Sequence, residues 1–244
     1  MLIDAKNVTK AFGAFKAVDN ASVAVEEGDI LGLIGPNGAG KSTFFNCLTG
    51  DTTPTAGTVH FAGVDVTRQP PEARALLGLA RSFQVPLTFE SMSVLDNVTI
   101  GALLRHPNAR EARAKARAVL DRVGLGRLAE SPARSLGTPG RKRLEIARAL
   151  ASEPKVLLLD EAMAGLTPTE VREAIELVRR IHGDGITIVI VEHIMEVITS
   201  LTRRVIVFHQ GREIARGTPR EVTSDPRVIE AYLGRRKVKH AGDA

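Results

Sequence analysis

The stretch GPNGAGKST, from Gly35 to Thr43, constrains the fold of this chain more than any other part of the sequence. It follows a short apolar run, Ile30–Ile34, and leads into residues that favour a helix. The stretch matches the pattern G-x-x-x-x-G-K-[ST], in which glycines let the backbone curl so that several N–H groups face one point. The helix that follows adds the positive end of its dipole. A strand, this turn and a helix in succession therefore predict a binding site for nucleotide phosphates.

Residues 35–43, the phosphate loop, have separate expected roles. Lys41 is expected to reach the β- and γ-phosphates of a nucleoside triphosphate, Ser42 to bind Mg²⁺, and Thr43 to contact the α-phosphate. The alternative is a glycine-rich turn that matches by chance, and the flanking strand and helix argue against it. The other expected nucleotide-binding positions form the turn itself: Gly35, Pro36, Asn37, Gly38, Ala39 and Gly40.

Two acidic residues, Asp160 and Glu161, come at the end of the apolar run VLLL. Ligands of open α/β sheets bind beyond the carboxyl ends of the strands, so both side chains are expected near the phosphates. Asp160 is expected to hold Mg²⁺ through water, and Glu161 to activate the attacking water as general base. The alternative is a surface Asp-Glu pair with no catalytic role.

The next apolar run, ITIVIV, ends in Glu192 and His193. A histidine at that edge of the sheet can donate a hydrogen bond to a γ-phosphate oxygen as charge shifts in the transition state. Taken alone, a histidine at the end of a strand is more often structural. Because the phosphate loop and the acidic pair are also present, His193 is predicted to be catalytic.

The remaining pattern predicts an α/β fold in three blocks. Residues 1–84 are rich in strands, residues 85–152 have a helical pattern, and β and α runs alternate from residue 153 onward. The continuously apolar runs VLLLD and ITIVIV are typical of strands buried on both faces of a parallel sheet. Ser93 and Asn108 are expected to begin helices, the second of which stops at Gly124. Early strands are expected at Leu2–Val8, Ser22–Val25, Ile30–Ile34 and Thr58–Phe61.

Charge and composition argue against other classes of function. The net charge is +5, but aromatic residues make up only 4% of the chain, and none lies in the basic runs Arg110–Arg122, Arg141–Arg143 and Arg235–His240. Nucleic-acid binding through base stacking is therefore not expected. Solvated helix faces explain the basic runs better, with attraction to an anionic membrane surface as a weaker alternative. No apolar run is long enough to span a bilayer, and the single cysteine, Cys47, is expected to be buried.

These motifs in this order resemble those of the ATP-binding cassette ATPases, the motor subunits of ABC transporters, along nearly the whole chain. The resemblance implies a P-loop NTPase fold of the ABC type, with a mixed central sheet, an antiparallel N-terminal β part and an inserted α-helical subdomain. Residues 1–84 and 153–244 would form the nucleotide-binding core and residues 85–152 the helical subdomain, within a single domain of residues 1–244.

The resemblance also implies further site residues. In AFGAFKAV, Phe12 matches the position at which the family stacks an aromatic ring on adenine, and Val18 lies nearby. In LARSFQ, Gln84 matches a glutamine that senses Mg²⁺ and the attacking water. The runs GLARSFQ, FESMSVLDNV, DEAMAGLTP, VEHIMEVI and GTPREVTSDPRVIEAYLG are most similar to the ATPases of branched-chain amino-acid importers.

One turn departs from the family pattern. Before RLEIARAL the family usually has L-S-G-G-Q, which clamps the γ-phosphate of ATP held by the other subunit of a dimer. Gly137 lacks the serine hydroxyl and Pro139 lacks an N–H to donate, whereas Thr138 offers a substitute hydroxyl. The whole turn, named the signature turn below, is Leu136, Gly137, Thr138, Pro139 and Gly140.

Two interpretations of this turn stay open. In the first, backbone groups and the helix dipole suffice, so the turn tolerates variation. In the second, which we favour, the chain works in a heterodimer: its intact phosphate loop, Asp160, Glu161 and His193 form a working site with a partner's turn, and the reciprocal site is slow. Thr167, which stands where many family members have an aspartate, is a second departure from the pattern.

The resemblance implies an ATP-hydrolysing importer subunit that uses ATP and Mg²⁺ and lies peripherally on the cytoplasmic face of the inner membrane. Expected partners are transmembrane permease subunits, a second ABC ATPase chain and, indirectly, a periplasmic solute-binding protein, with no nucleic acid. A heterodimer is expected, with a homodimer as the alternative. Alternative functions are an amide or urea importer, a lipopolysaccharide exporter, a repair or translation ATPase, or a degenerate cassette that acts mainly in dimerisation.

Overall fold

The structure, a computed structural model, describes residues 1–82 and 88–233. In this part of the chain the strands are β1 Ile3–Phe12, β2 Phe15–Val25, β3 Ile30–Ile34, β4 Ala56–Phe61, β5 Val64–Asp65, β6 Leu79–Arg81, β7 Val156–Asp160, β8 Thr187–Val191, β9 Arg204–His209 and β10 Arg212–Gly217. The helices are α1 Lys41–Thr49, α2 Pro71–Leu77, α3 Val94–Ala102, α4 Ala109–Val123, α5 Thr138–Ala151, α6 Pro168–Gly183, α7 Met195–Leu201, α8 Pro219–Ser224 and α9 Pro226–Leu233.

The strands form two sheets. One is a four-stranded antiparallel sheet in the order β2-β1-β4-β5. The other has six strands in the order β10-β9-β3-β8-β7-β6. It is mixed, because β10 is antiparallel to β9, whereas β3 is parallel to β9 and β6 is parallel to β7. The predicted mixed sheet with an antiparallel N-terminal part is confirmed.

The central strands of the mixed sheet are apolar because both of their faces are covered. Every residue of β7 and of β8 is buried. This is the environment that the continuously apolar runs predict, and β7 spans the run VLLLD that was identified from the sequence. The burial of β7 carries through to its last residue, Asp160, which is 2% exposed.

The first two strands are longer than predicted. Their ladder continues to a hairpin in which Phe12 pairs with Phe15. The last buried side chain of β1 is Val8, and the four residues after it are half-buried or exposed. Main-chain hydrogen bonds extend the ladder where side chains face water, so apolar periodicity underestimates the length of such strands.

The predicted helix ends in the middle of the chain are confirmed. The Ser93 side chain accepts a hydrogen bond from the Asp96 N–H at the start of α3. The Asn108 side chain likewise accepts hydrogen bonds from two backbone amides at the start of α4. Helix α4 ends at Gly124, whose φ is 79°. These caps satisfy amides and carbonyls that a helix cannot satisfy internally.

The chain divides into two compact units. One comprises Met1–Arg74 and the described residues from Val189 onward, and the other comprises Ala75–Ile188. This division differs from the predicted subdomain boundaries near residues 84 and 152 and does not test them, so those boundaries stay a prediction. Among the described residues, no helix combines the length and the apolar character that crossing a membrane requires.

Candidate functional site

The phosphate loop connects β3 to α1, and its surroundings require glycine at two positions. A Cβ atom on Gly35, whose φ is 150°, would lie 2.2 Å from the carbonyl oxygen of Phe208. A Cβ on Gly40, whose φ is 98°, would lie 2.2 Å from the carbonyl oxygen of Ala17. Both distances are far below van der Waals contact, and both φ values are ones that L side chains rarely adopt. The loop therefore packs directly on the backbones of β9 and β2.

The ammonium group of Lys41 lies inside the loop. It donates hydrogen bonds to the carbonyl oxygens of Gly35 at 2.6 Å and Pro36 at 3.1 Å, and Lys41 is 6% exposed. Lysine is a compact point charge with three donors, so these carbonyls fix its position without neutralising its charge. A cation held in this way is preorganised for an anion such as a phosphate group.

Helix α1 begins at Lys41, immediately after the loop. Its first intrahelical hydrogen bond runs from the Phe44 N–H to the Gly40 carbonyl at 2.9 Å. The amides at the helix start lie before that bond, at the positive end of the helix dipole. Ser42 is exposed and Thr43 is half-buried. Their roles toward Mg²⁺ and the α-phosphate stay predictions.

The other end of α1 is held by Arg74, which sequence analysis missed. Its guanidinium is fully buried, at 0% exposure, and donates to the carbonyls of Cys47 and Leu48 at 2.7 Å each. It also donates to the carbonyls of Gln69 at 3.0 Å and Thr67 at 3.3 Å. Carbonyls in the last turn of a helix have no intrahelical partner, so Arg74 caps α1 from the side.

The hairpin of β1 and β2 carries the predicted adenine contact. Phe12 is 54% exposed, and the ammonium of Lys10 lies 5.1 Å from its ring centroid. Its exposed face suits stacking, and its role stays a prediction. Phe15, its partner in the hairpin, is 66% exposed and was not singled out from the sequence. Val18 is fully buried, so its side chain belongs to the core of this unit.

His193 follows the carboxyl end of β8, as expected from the run ITIVIV. Its side chain is exposed, whereas the preceding Glu192 is fully buried. An exposed imidazole at the end of a strand is accessible to a ligand. The predicted hydrogen bond from His193 to a γ-phosphate oxygen stays a prediction.

The carboxylate of Asp160 is buried at the carboxyl end of β7. Its Oδ2 atom accepts a hydrogen bond from Arg81 Nη2 at 2.8 Å, and the two side chains are 3% and 10% exposed. Ser82 supports the same backbone, because its Oγ accepts the Asp160 N–H at 3.3 Å. Arg81 lies on β6, which is parallel to β7 and adjacent to it. Sequence analysis missed this ion pair.

The second oxygen of Asp160 provides a test for the predicted magnesium site. Oδ1 is buried and has no hydrogen-bond partner in the part of the chain that the structure describes. An unsatisfied buried acceptor costs about 1–3 kcal/mol, and more when it is charged. A carboxylate oxygen is the type of ligand that Mg²⁺ uses, directly or through water. The residue therefore fits the metal, whereas Gln84, the other predicted sensor, lies outside the described residues.

Glu161 has an unusual backbone conformation. Its φ is 48°, in the left-handed region, which for a non-glycine residue costs of order 1 kcal/mol. Lys142 of α5, 7% exposed, donates to the Glu161 carbonyl oxygen at 3.3 Å. The roles of Glu161 as general base and of Asp160 as metal ligand stay predictions.

The signature turn forms the start of α5. Gly137 is the N-cap residue, without a side-chain capping hydrogen bond, and the helix begins at Thr138. Pro139 occupies the first turn, where a helix does not use the N–H that proline lacks. Gly137 and Thr138 are exposed, and Leu136 is 5% exposed and anchored through its carbonyl to Arg141 Nε at 3.0 Å. The sequence of this turn is therefore compatible with the start of α5, and the role of the turn toward ATP stays a prediction.

Thr167, the second departure noted in the sequence analysis, has a structural role. It caps α6, and its side chain accepts the Glu170 N–H while the Glu170 carboxylate accepts the Thr167 N–H. This capping box satisfies two amides at once. The departure at Thr167 therefore preserves the start of α6.

Comparisons with known proteins identify relatives that bind ATP or belong to ATP-binding families. The model of the family described as ABC transporter matches residues 18–164, and that described as branched-chain amino acid ATP-binding cassette transporter matches residues 212–238. The high-affinity branched-chain amino acid transport ATP-binding protein LivG of Salmonella typhimurium is 38% identical, covering 96% of this chain and 98% of LivG. The protein of the same description named BraF, from Pseudomonas aeruginosa, is 34% identical, covering 96% of this chain and 98% of BraF.

A solved structure shows the same fold. The crystal structure of a nucleotide-free ATP-binding cassette from an ABC transporter superposes with a TM-score of 0.88 at 32% sequence identity, covering 96% of this chain and 99% of the other. The family match spans more than half of the chain, and the relatives match along nearly all of their length. The chain therefore belongs to the ABC transporter family, as one of its ATPase cassettes.

Proposed function

We propose that the chain is the ATP-hydrolysing subunit of an importer for branched-chain amino acids. The observation that supports ATP binding is the phosphate loop, in which the Lys41 ammonium is held by the carbonyls of Gly35 and Pro36. The solute is inferred from LivG and BraF, whose names specify branched-chain amino acid transport. The family match at residues 212–238 supports the same solute class.

In the proposed reaction, the phosphate loop and the start of α1 bind the triphosphate of ATP, and Phe12 stacks on adenine. Ser42, Gln84 and Asp160, through its Oδ1 atom, would hold Mg²⁺, which when bound neutralises charge on the β- and γ-phosphates.

Glu161 accepts a proton from that water as its oxygen attacks the γ-phosphorus. The bond from phosphorus to the bridging oxygen breaks, and ADP and inorganic phosphate result. His193 donates a hydrogen bond to a γ-phosphate oxygen, which stabilises the charge of the transition state. Gln84 would respond to the metal and to the attacking water, as the resemblance implies.

The proposed assembly places the chain peripherally on the cytoplasmic face of the inner membrane. Transmembrane permease subunits supply the path for the solute, and a periplasmic binding protein delivers it. A second cassette completes the ATP sites. We propose a heterodimer in which this chain's phosphate loop works with the partner's turn, while the site closed by residues 136–140 of this chain is slow.

The test is ATP turnover by the chain assembled with its partner cassette and permease in lipid vesicles. Glu161→Gln removes the base but keeps the shape of the side chain, so turnover at that site should stop while ATP stays bound. Glu173→Gln makes the same charge change on an exposed residue of α6 and should turn over normally. Full activity of Glu161→Gln would remove Glu161 as the base.

The solute is tested in the same vesicles. ATP-dependent uptake of leucine, isoleucine and valine is expected when the binding protein is present, and urea should not be taken up. Uptake of urea without uptake of leucine would assign the chain to an amide importer instead.

A further inference from the structure

The turn between β9 and β10 connects strand β2 to the phosphate loop. Arg212 pairs with His209 across it, so Gln210 and Gly211, named the β9–β10 turn below, are its two central residues. Both have positive φ values, 50° for Gln210 and 79° for Gly211, as a two-residue hairpin turn of the primed type requires. A Cβ on Gly211 would lie 2.9 Å from the carbonyl oxygen of Ala17. The turn therefore lies directly against the backbone of β2.

Gly211 forms two backbone hydrogen bonds with different parts of the fold. Its carbonyl oxygen accepts the Asp19 N–H of β2 at 2.8 Å, and its N–H donates to the Ala39 carbonyl oxygen of the phosphate loop at 2.9 Å. The peptide between Ala39 and Gly40 is trans, so its C=O and N–H groups point in opposite directions. The bond to the Ala39 carbonyl therefore directs the Gly40 N–H away from the turn, and this N–H is one of the loop amides expected to face the phosphates.

The side chain of Asp19 holds the residue that follows this turn. Its Oδ2 atom accepts hydrogen bonds from Arg212 Nε at 2.8 Å and Arg212 Nη2 at 2.5 Å, and its Oδ1 atom accepts one from Lys16 Nζ at 3.0 Å. The hydrogen bonds from Lys16, and then those from Arg212, lower the pKa of Asp19. The carboxylate is therefore ionised at neutral pH. Because Arg212 is bonded directly to Gly211, the ion pair restricts the position of Gly211.

The Asp19–Arg212 ion pair affects geometry more than stability. The Asp19 side chain is 14% exposed, but that of Arg212 is 70% exposed. An ion pair with such an exposed partner contributes little to the free energy of unfolding. Two donors of one planar guanidinium on a single oxygen nevertheless restrict the orientation of the arginine. The pair can thus hold the turn in place while adding little to the stability of the fold.

We propose that Asp19 is a positioning residue of the phosphate loop. Through Arg212 and Gly211 it fixes the Ala39 carbonyl, and thereby the direction in which the Gly40 N–H points toward the nucleotide. The proposal rests on the proposed function, since it takes the phosphate loop as the nucleotide site. It gives the β9–β10 turn, which is far from the loop in sequence, a role in nucleotide affinity.

The first experiment measures binding of N-methylanthraniloyl-ADP to the purified chain in EDTA. Asp19→Ala removes the ion pair but keeps the backbone bond from residue 19 to Gly211. The dissociation constant should rise roughly three- to tenfold, as expected when one loop hydrogen bond to the phosphates is weakened. Glu213→Gln is the matched control, because it also removes a carboxylate paired with an arginine, Arg216, but both partners lie on β10. It should bind as the wild type does.

The second experiment tests whether Asp19 acts through Arg212. Arg212→Ala should weaken ADP binding to within about twofold of Asp19→Ala, and the double variant should bind no more than about twofold more weakly than either single variant. Full affinity of Arg212→Ala would overturn the proposal, and so would a double variant whose loss equals the product of the two single losses. Arg212→Ala also provides the test if Asp19→Ala does not fold.

The third experiment separates positioning from general support of the fold. In Asp19→Ala, hydrogen–deuterium exchange of a peptide covering residues 35–41 should be faster without nucleotide, while a peptide covering residues 21–25 of β2 should exchange as in the wild type. The urea midpoint should stay within about 0.3 M of the wild type. Equal acceleration in both peptides, or unchanged exchange in the loop, would overturn the proposal.

The failure of this proposal is distinguishable from that of the proposed function. A wild-type chain that binds neither ADP nor ATP would overturn the proposed function and with it the role of Asp19. A wild-type chain that binds ADP no more tightly than Asp19→Ala does would overturn only the role of Asp19.

Discussion

Replacement of Arg74 by methionine should destabilise the chain more than most single substitutions. Methionine keeps much of the aliphatic volume but donates no hydrogen bond, so the carbonyls of Cys47 and Leu48, which Arg74 contacts at 2.7 Å, lose their donor. Each unsatisfied buried acceptor costs about 1–3 kcal/mol. The hydrogen bonds from Arg74 to the carbonyls of Gln69 at 3.0 Å and Thr67 at 3.3 Å contribute less to stability. The variant also avoids the free-energy cost of desolvating a buried cation, which offsets part of the loss. The expected net loss is about 3 kcal/mol.

The assay is urea unfolding followed by circular dichroism. With a denaturant slope of about 3 kcal/mol per M for a chain of this size, Arg74→Met should lower the midpoint by about 1 M. Arg74→Lys keeps the positive charge and some of the hydrogen-bond donors, so it should lose less stability than Arg74→Met. Arg68→Met removes an exposed arginine of the same segment and should stay within about 0.5 kcal/mol of the wild type. A loss below about 1 kcal/mol for Arg74→Met would refute the view that this guanidinium caps α1.

Three further predictions concern other parts of the cassette. Burial raises the pKa of the Cys47 thiol to about 11, so at pH 8 a disulfide reagent should label the native chain at least roughly tenfold more slowly than the urea-unfolded chain, and equal rates would contradict its burial. Gly40→Ala should weaken ATP binding more than roughly tenfold because its Cβ would clash with a carbonyl, whereas Gly63→Ala, with φ 80° and open space, should bind ATP normally. Gly137→Ser combined with Pro139→Gly should fold normally, since a Cβ on Gly137 meets nothing closer than 3.8 Å. It should speed turnover at the slow site by about a hundredfold, and unchanged turnover would contradict the proposed asymmetry.

The local parts of the site were predictable from the sequence. The phosphate loop, the strand before it and the end of β7 are each specified by consecutive residues, because glycine conformation, strand burial and the helix start depend on near neighbours. The caps at Ser93 and Asn108 were predictable for the same reason. The hairpin end at Phe15 was missed because its side chains face water and leave no apolar pattern.

The contacts that support the site were not predictable. Arg81 and Asp160 are 79 residues apart, Arg74 and Cys47 are 27 apart, and neither pair has a local signature. From the sequence alone, an arginine in a helical or strand segment is expected to be a solvated charge. Only the fold brings a carboxylate or carbonyls next to it.

The proposal tested most directly is that Asp160 helps to hold Mg²⁺ when the chain binds ATP. The measurement is electron paramagnetic resonance of Mn²⁺, which replaces Mg²⁺ in sites built from oxygen ligands. Titration in the presence of ATP should show Mn²⁺ bound to the wild-type chain and to Asp184→Asn, which changes an exposed carboxylate. Asp160→Asn should weaken Mn²⁺ binding between roughly 10- and 100-fold. Equal Mn²⁺ affinity in Asp160→Asn and the wild type would contradict the account.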